Sequence, residues 1–245
     1  MYATLDTETV GGIDTPKGFY NVGVVIHDRE GNIFATTSLL VMEFYEEIKN
    51  DDYAKKNFHL YAERLARGEI SAVATEAEAL NIVRNLLRFY NVKYICAYNS
   101  AFDLAKTVCR ELADEFQFID LWLMALQTIC HQKHYAQFCR ENGYKSRGGK
   151  TCATSAESVY AYISGNGEYI EEHTALADAL IEMAIFVRCA KTHKHYTKNV
   201  HCWDCTERNK AFPKWGHVPS EKTRLSLNGD VLTQKKGGFP QNLKH

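Results

Sequence analysis

The 245-residue chain contains no apolar run of about 18 or more residues, so nothing in it reads as a membrane-spanning helix. Its first residues, Met1-Tyr2-Ala3-Thr4-Leu5-Asp6, lack a basic stretch leading into an apolar one. No secretory leader is therefore expected, and a cytoplasmic location is. Internal repeats and low-complexity segments are also missing. Proline is scarce: there are four, and three of them lie beyond residue 191. Net charge is almost nil at −1. Cysteine is not scarce. Of the eight, Cys96, Cys109, Cys130, Cys139 and Cys189 fall within predicted helices or strands. Without an export signal they read as reduced thiols packed as small hydrophobes, not as disulfides.

What is present is enough for one large α/β domain, with 45% hydrophobic residues. Strands are predicted over residues 2–7, 19–27 and 32–41, the last two joined by the Asp28-Arg29-Glu30-Gly31-Asn32 turn. Helices are predicted over 51–67 and 76–90, the second with Leu80, Val83, Leu87 and Tyr90 on one stripe. A buried strand over 92–98 leads into a helix over 101–112, with Asn99 or Ser100 placed to cap it. A short strand at 116–119 and helices over 121–130 and 134–142 follow. Thr154-Ser155-Ala156-Glu157 has capping-box spacing and starts a helix to about Ile163. The last long helix, 174–191, carries Leu176, Leu180, Met183 and Val187 as a stripe. Strands first, then helices interleaved with buried strands, predict an α/β sheet of mixed strand directions.

Five side chains suggest chemistry. Asp6 and Glu8 sit two apart on the first strand, so both carboxylates face one side. Asp103 lies in the first turn of a helix that follows a buried strand. His173 precedes the last long helix and Asp178 falls in its opening turns. Each has an ordinary reading: an exposed strand end, an acid on a helix dipole, a surface pair. On one regular helix His173 and Asp178 would stand roughly 140° apart. They converge only if His173 lies before the helix and folds inward.

In this order the residues resemble the DEDDh branch of the proofreading-type 3′→5′ exonucleases. The likeness runs over about 2–191, through Asp6-Thr7-Glu8-Thr9, then Asn99, Phe102 and Asp103, then His173, Ala175, Leu176 and Asp178. Ile119-Asp120-Leu121 echoes the family in a structural role. Two positions depart: Tyr98 stands where many members carry histidine, and Asn21 where many carry glutamate. The resemblance implies a ribonuclease H-like mixed β-sheet flanked by α-helices. It implies two divalent cations, Mg²⁺ or Mn²⁺, with Asp6, Glu8 and Asp178 holding one and Asp103 helping to hold the other. His173 would take the proton of the attacking water. The implied substrate is the 3′ end of single-stranded nucleic acid, with DNA ranked ahead of RNA. Thr7, Thr9 and Asn99 are expected near it. Lys145, Arg147 and Lys150, in the basic glycine-rich loop, are expected to grip its phosphates. The alternative is a non-catalytic nucleic-acid-binding module or an accessory domain of a replication or repair assembly.

Composition shifts near Lys191. Residues 191–245 carry 11 Lys/Arg against 4 Asp/Glu, net +7, and residues 1–190 carry 18 against 26, net −8. An exonuclease domain over 1–190 with a basic extension over 191–245 is expected. Cys202-Trp203-Asp204-Cys205 makes half of a zinc-type site, with His193, His195, His201, His217 and Cys189 as possible partners. Trp203, Phe212 and Trp215 among Lys198, Arg208, Lys210 and Lys214 suit either stacking on single strands or docking, whether onto the domain or onto a replication or repair partner.

Overall fold

The computed structural model describes residues 1–192 apart from 13, 14, 53, 147 and 150, and beyond them 222–225 and 231–234. The zinc half-site, its histidine partners and the aromatic-basic cluster therefore lie outside the described residues, as do Arg147 and Lys150.

Three long strands open the chain: β1 (Tyr2–Gly12), β2 (Thr15–His27) and β3 (Ile33–Val41). They pair antiparallel in sequence order, and Asp28 holds the β2–β3 turn by accepting the N–H groups of Glu30 and Asn32. Next come α1 (Tyr45–Ile48), α2 (Phe58–Ala66), β4 (Ser71–Val73) and α3 (Glu76–Phe89). Then β5 (Tyr94–Ala97), α4 (Ala101–Lys106), β6 (Gln117–Asp120) and α5 (Leu121–Ala125) alternate. The described body ends with α6 (Lys133–Asn142), α7 (Ala156–Ser164) and α8 (Ala175–Thr192). A separate pair, β7 (Lys222–Leu225) and β8 (Val231–Gln234), is antiparallel.

The six-stranded sheet has the order β4-β3-β2-β1-β5-β6, with β5 parallel to β1 and β6 parallel to β5. This is the ribonuclease H-like mixed sheet with flanking helices. Alternation sorts the side chains of β1 and β2. Ala3, Leu5, Tyr20, Val22, Val24 and Ile26 join the core that includes Leu80, Val83 and Leu87 of α3. Asn21 and Gly23 turn to the other face, toward the start of α8.

Where the structure departs from expectation, local hydrogen bonds explain it. The helix expected over 101–112 breaks at Thr107, whose hydroxyl donates to the carbonyl of Asp103 (2.7 Å) and accepts from the N–H of Cys109 (3.1 Å). A 3₁₀ segment, Val108–Asp114, replaces its second half. Ser100 occupies the N-cap position of α4, but its side chain makes no capping bond. α7 is capped by Ser155, which accepts from the N–H of Ser158, and not by Thr154. Helix 121–130 changes to a π turn over Leu126–Cys130. β1 runs on to Gly12 through two register shifts.

The buried face of α8 is a further correction. Leu176, Leu180, Met183 and Val187 are only half-buried. Buried instead are Ala175, Asp178, Ala179, Ile181, Glu182, Ile185, Phe186, Cys189 and Ala190. At its start small residues face inward because the helix comes very close to the sheet. A Cβ built on Gly23 would lie 2.2–2.3 Å from backbone atoms of Ala175 and Leu176. All six cysteines among the described residues are buried, and none of them is in a disulfide. No helix among the described residues is long and apolar enough to cross a membrane.

Gly23→Ala is expected to lower stability by at least ~1–3 kcal/mol, because the new methyl must push α8 off the sheet. Urea unfolding of the variant beside the wild type measures it.

Candidate metal centre

The start of α8 is pinned to the sheet by Asn21. Its Oδ1 accepts the N–H of Ala175 at 3.0 Å and the hydroxyl of Tyr61 at 3.2 Å. Its Nδ2 donates to the carbonyl of Leu39 at 2.9 Å and to Ser38 Oγ at 3.2 Å. A carboxylate could not make the bond to Leu39, which gives a packing reason for asparagine here. The Ala175 N–H is one of the orphan donors of a helix start, and a buried amide satisfies it.

His173 lies just before the helix, in the left-handed region at φ 58°. Its carbonyl accepts from Asn57 Nδ2 at 2.8 Å, and Arg64 of α2 grips Thr174 (3.2 Å) and Glu172. This kink turns the imidazole back toward the site, as convergence with Asp178 requires. One ligand atom from each of Glu8, His173 and Asp178 lies within 4.8 Å of the others.

Asp6 of β1 and Asp103 of α4 bear electrostatically on this trio but are not part of the group that converges within 4.8 Å. Asp6 is opposite Gly23 in the β1–β2 register, and Glu8 is opposite Asn21. Asp103 is buried, and its Oδ1 accepts the hydroxyl of Thr7 at 2.7 Å. Thr7, expected near substrate, thus spends its hydroxyl on Asp103. Asn99 holds a left-handed backbone at φ 64°, and its carbonyl accepts the N–H of Phe102 at 2.8 Å. Of the three non-glycine residues in this conformation among the described residues, Asn99 and His173 introduce the segments that carry Asp103 and Asp178. Thr9 is half-buried on β1 beyond the first register shift. Lys145 is exposed and bridges to Cys152 across the base of its loop. Asp120 caps α5 by accepting from Leu123 N at 3.2 Å, the structural role expected of it.

Crowding raises the affinity of these groups for protons. Burial, then Asp178, Asp103 and Glu171, push Asp6 well above the usual carboxylate range. Burial, then Asp6 and Glu171, do the same to Glu8, against a smaller opposing pull from Lys56. Burial lifts Asp103 to about 7 despite the Thr7 bond. Burial, then Glu171 and Glu8, lift Asp178 to about 9. Glu8 and Asp178 lie within reach of each other, and their crowding favours the protonated forms. His173 is shifted down by burial and then by Lys56, which favours the neutral imidazole.

Two residues of this environment escaped the sequence reading. Glu171 is partly buried, its carboxylate 3.8 Å from His173 Nδ1, and burial and Glu157 raise it to about 7. Glu182 is buried on α8, one turn beyond Asp178. A one-turn repeat of acids on the small-residue face of α8 was the available signal for Glu182.

The donor set suits a hard divalent cation. Asp178 Oδ1 is buried with no hydrogen-bond partner, an acceptor that only a cation or a proton would satisfy. Carboxylate oxygens with an imidazole beside them suit a divalent cation, not one that needs sulfur ligands. Glu8 and Asp178 offer carboxylate oxygens for one divalent cation, and His173 lies beside them.

The pH dependence has a defined sign. These carboxyls ionise near pH 4 in an unfolded chain but hold protons higher in the folded one. The folded state then binds more protons, so stability falls as pH rises from about 4 through the folded values. Buried His27, shifted down, acts oppositely but only below about pH 6.5. Between pH 6.5 and 8, the melting temperature of the cation-free protein is expected to fall. Added Mg²⁺ or Mn²⁺ raises it and flattens the slope, and Asp178→Asn also flattens it. Thermal melts in chelator and in cation check all three.

No protein-family model matches the chain, and no curated protein matches it in sequence. Among solved structures it is similar to E. coli Exonuclease I, determined in complex with a dT13 oligonucleotide, at 16% identity and a TM-score of 0.46. The match covers 80% of this chain and 42% of that one, so the chain spans well under two thirds of that protein's length.

Proposed function

We propose that this protein is a divalent-cation-dependent 3′→5′ exonuclease that releases 5′-mononucleotides from the 3′ end of single-stranded nucleic acid, DNA ahead of RNA. The observation that carries the reading is the convergence of Glu8, His173 and Asp178 within 4.8 Å from a strand, a loop and a helix. Four carboxylates facing a polyanion gain nothing for binding alone, since they repel it unless cations intervene.

In this reading Asp6, Glu8 and Asp178 hold one cation, and Asp103 helps to hold a second beside Asp6. Bound divalent cations would supply Lewis-acid activation of water and charge neutralisation at the phosphate. The chain's own residues do the rest. Neutral His173 takes the proton of the attacking water, a role its lowered pKa favours at neutral pH. Glu171, 3.8 Å away, faces the imidazolium so formed. Thr7 holds Asp103 in place through its hydroxyl. Thr9, Asn99, Lys145, Arg147 and Lys150 are the proposed contacts to the strand, and the extension beyond residue 190 is the proposed contact to a replication or repair partner.

Asp6→Asn and Asp178→Asn are expected to abolish Mg²⁺-dependent hydrolysis of a 3′-labelled oligonucleotide while the protein stays folded. His173→Ala should slow it by ~10²–10⁴-fold. Equal rates in wild type and Asp6→Asn would overturn the proposal and leave a binding module. For the loop, replacing Lys145, Arg147 and Lys150 together by alanine should make affinity less steeply dependent on salt. A titration of binding against salt concentration reads that slope.

A further inference from the structure

α8 places a second buried carboxylate beneath the candidate centre. Glu182 is 3% exposed, and its Oε2 accepts the backbone N–H of Tyr98 at 3.1 Å. Tyr98 follows β5 directly and precedes Asn99, whose left-handed backbone turns the chain into α4 and Asp103. The Tyr98 side chain is held as well, its hydroxyl donating to the carbonyl of Thr154 at 2.7 Å. Burying a carboxyl is costly, and the charged groups that bear on this one are themselves acids: Asp6, Asp103 and Asp178. Packing alone would be served better by leucine or methionine. What the carboxyl does is join two segments distant in sequence. One is the helix that carries Asp178. The other is the strand–helix corner that carries Asp103.

We propose that Glu182 is a positioning residue for the cation centre, tying α8 to the β5–α4 corner through the Tyr98 N–H and so fixing Asp178 relative to Asp103. The inference rests on the reading of these acids as cation ligands. It adds a residue that would touch neither substrate nor ion. Partners of this outer kind are commonly worth about 10–100-fold in metal affinity.

Two conservative variants separate position from charge. Glu182→Gln keeps an acceptor oxygen of the same reach but has no ionisable group. Glu182→Asp keeps the acid but falls one methylene short of Tyr98. Mn²⁺ binding to the full chain, followed by electron paramagnetic resonance, should be within about 2-fold of wild type in Glu182→Gln and about 10-fold or more weaker in Glu182→Asp. Hydrogen exchange over residues 98–103 should speed up in Glu182→Asp and stay unchanged in Glu182→Gln, a readout that needs no cation. Melting curves establish that each variant folds. The proposal is overturned if Glu182→Asp matches wild type, or if Glu182→Gln weakens binding as much as Glu182→Asp does. Should Glu182→Asp not fold, Glu182→Gln alone decides: retained Mn²⁺ affinity and exchange support the tie, and loss of either refutes it. A wild type that binds no Mn²⁺ would sink the nuclease reading, while exchange at residues 98–103 would still judge the tie.

Discussion

The close seating of α8 on the sheet is the contact everything else depends on. Two neighbouring positions of β2 create it. Gly23 contributes by having no side chain, which lets the backbone at Ala175 come in where a methyl would collide. Asn21 contributes by having an amide, which accepts from the helix and donates to the next strand at once. Both stand opposite acids of β1, Gly23 facing Asp6 and Asn21 facing Glu8 in the register. The pair that brings the helix down therefore also sets how near Asp178 comes to those acids. Small residues at 175 and 179 on the helix answer the gap on the strand.

That seating has an electrostatic consequence. It drives carboxylates together in a place with little water, where like charges cannot all persist. The protein meets the problem with protons: Glu8 is raised well above the usual carboxylate range, Asp178 to about 9, and Asp103 and Glu171 to about 7. Folding supplies the energy for this crowding from the two hydrophobic layers on either side of the sheet. A divalent cation bound among these carboxyls would offset this unfavourable crowding.

Much of the architecture is legible in the sequence, because β-branched runs and helical stripes report burial directly. α3 buries Leu80, Val83 and Leu87 as its periodicity indicates. The inward turn of His173 also follows from spacing, since a residue inside the helix would miss Asp178. What is not legible depends on contacts between distant segments. The stripe of Leu176, Leu180, Met183 and Val187 is not the buried face of α8, because at the helix start the approach over Gly23 favours alanine over leucine. Thr107 breaks a helix through its own hydroxyl, a choice that propensity over a window does not register. Ser155 takes the cap although Thr154 is the residue with a glutamate three positions on. Asn21 appears in the sequence as a departure from a family pattern, and only the amide's four partners explain it. Glu182 looks like any acid on an amphipathic helix until Tyr98 is placed beside it.

Protons held by these crowded carboxyls, Asp178 up to about pH 9, would make ion uptake an exchange reaction. A divalent cation entering between these carboxyls must expel acid into the medium. Its observed heat of association will then change with the ionisation enthalpy of the buffer, and plotting one against the other counts the displaced protons. Chelation reverses the traffic, so the emptied protein would draw protons back from solution.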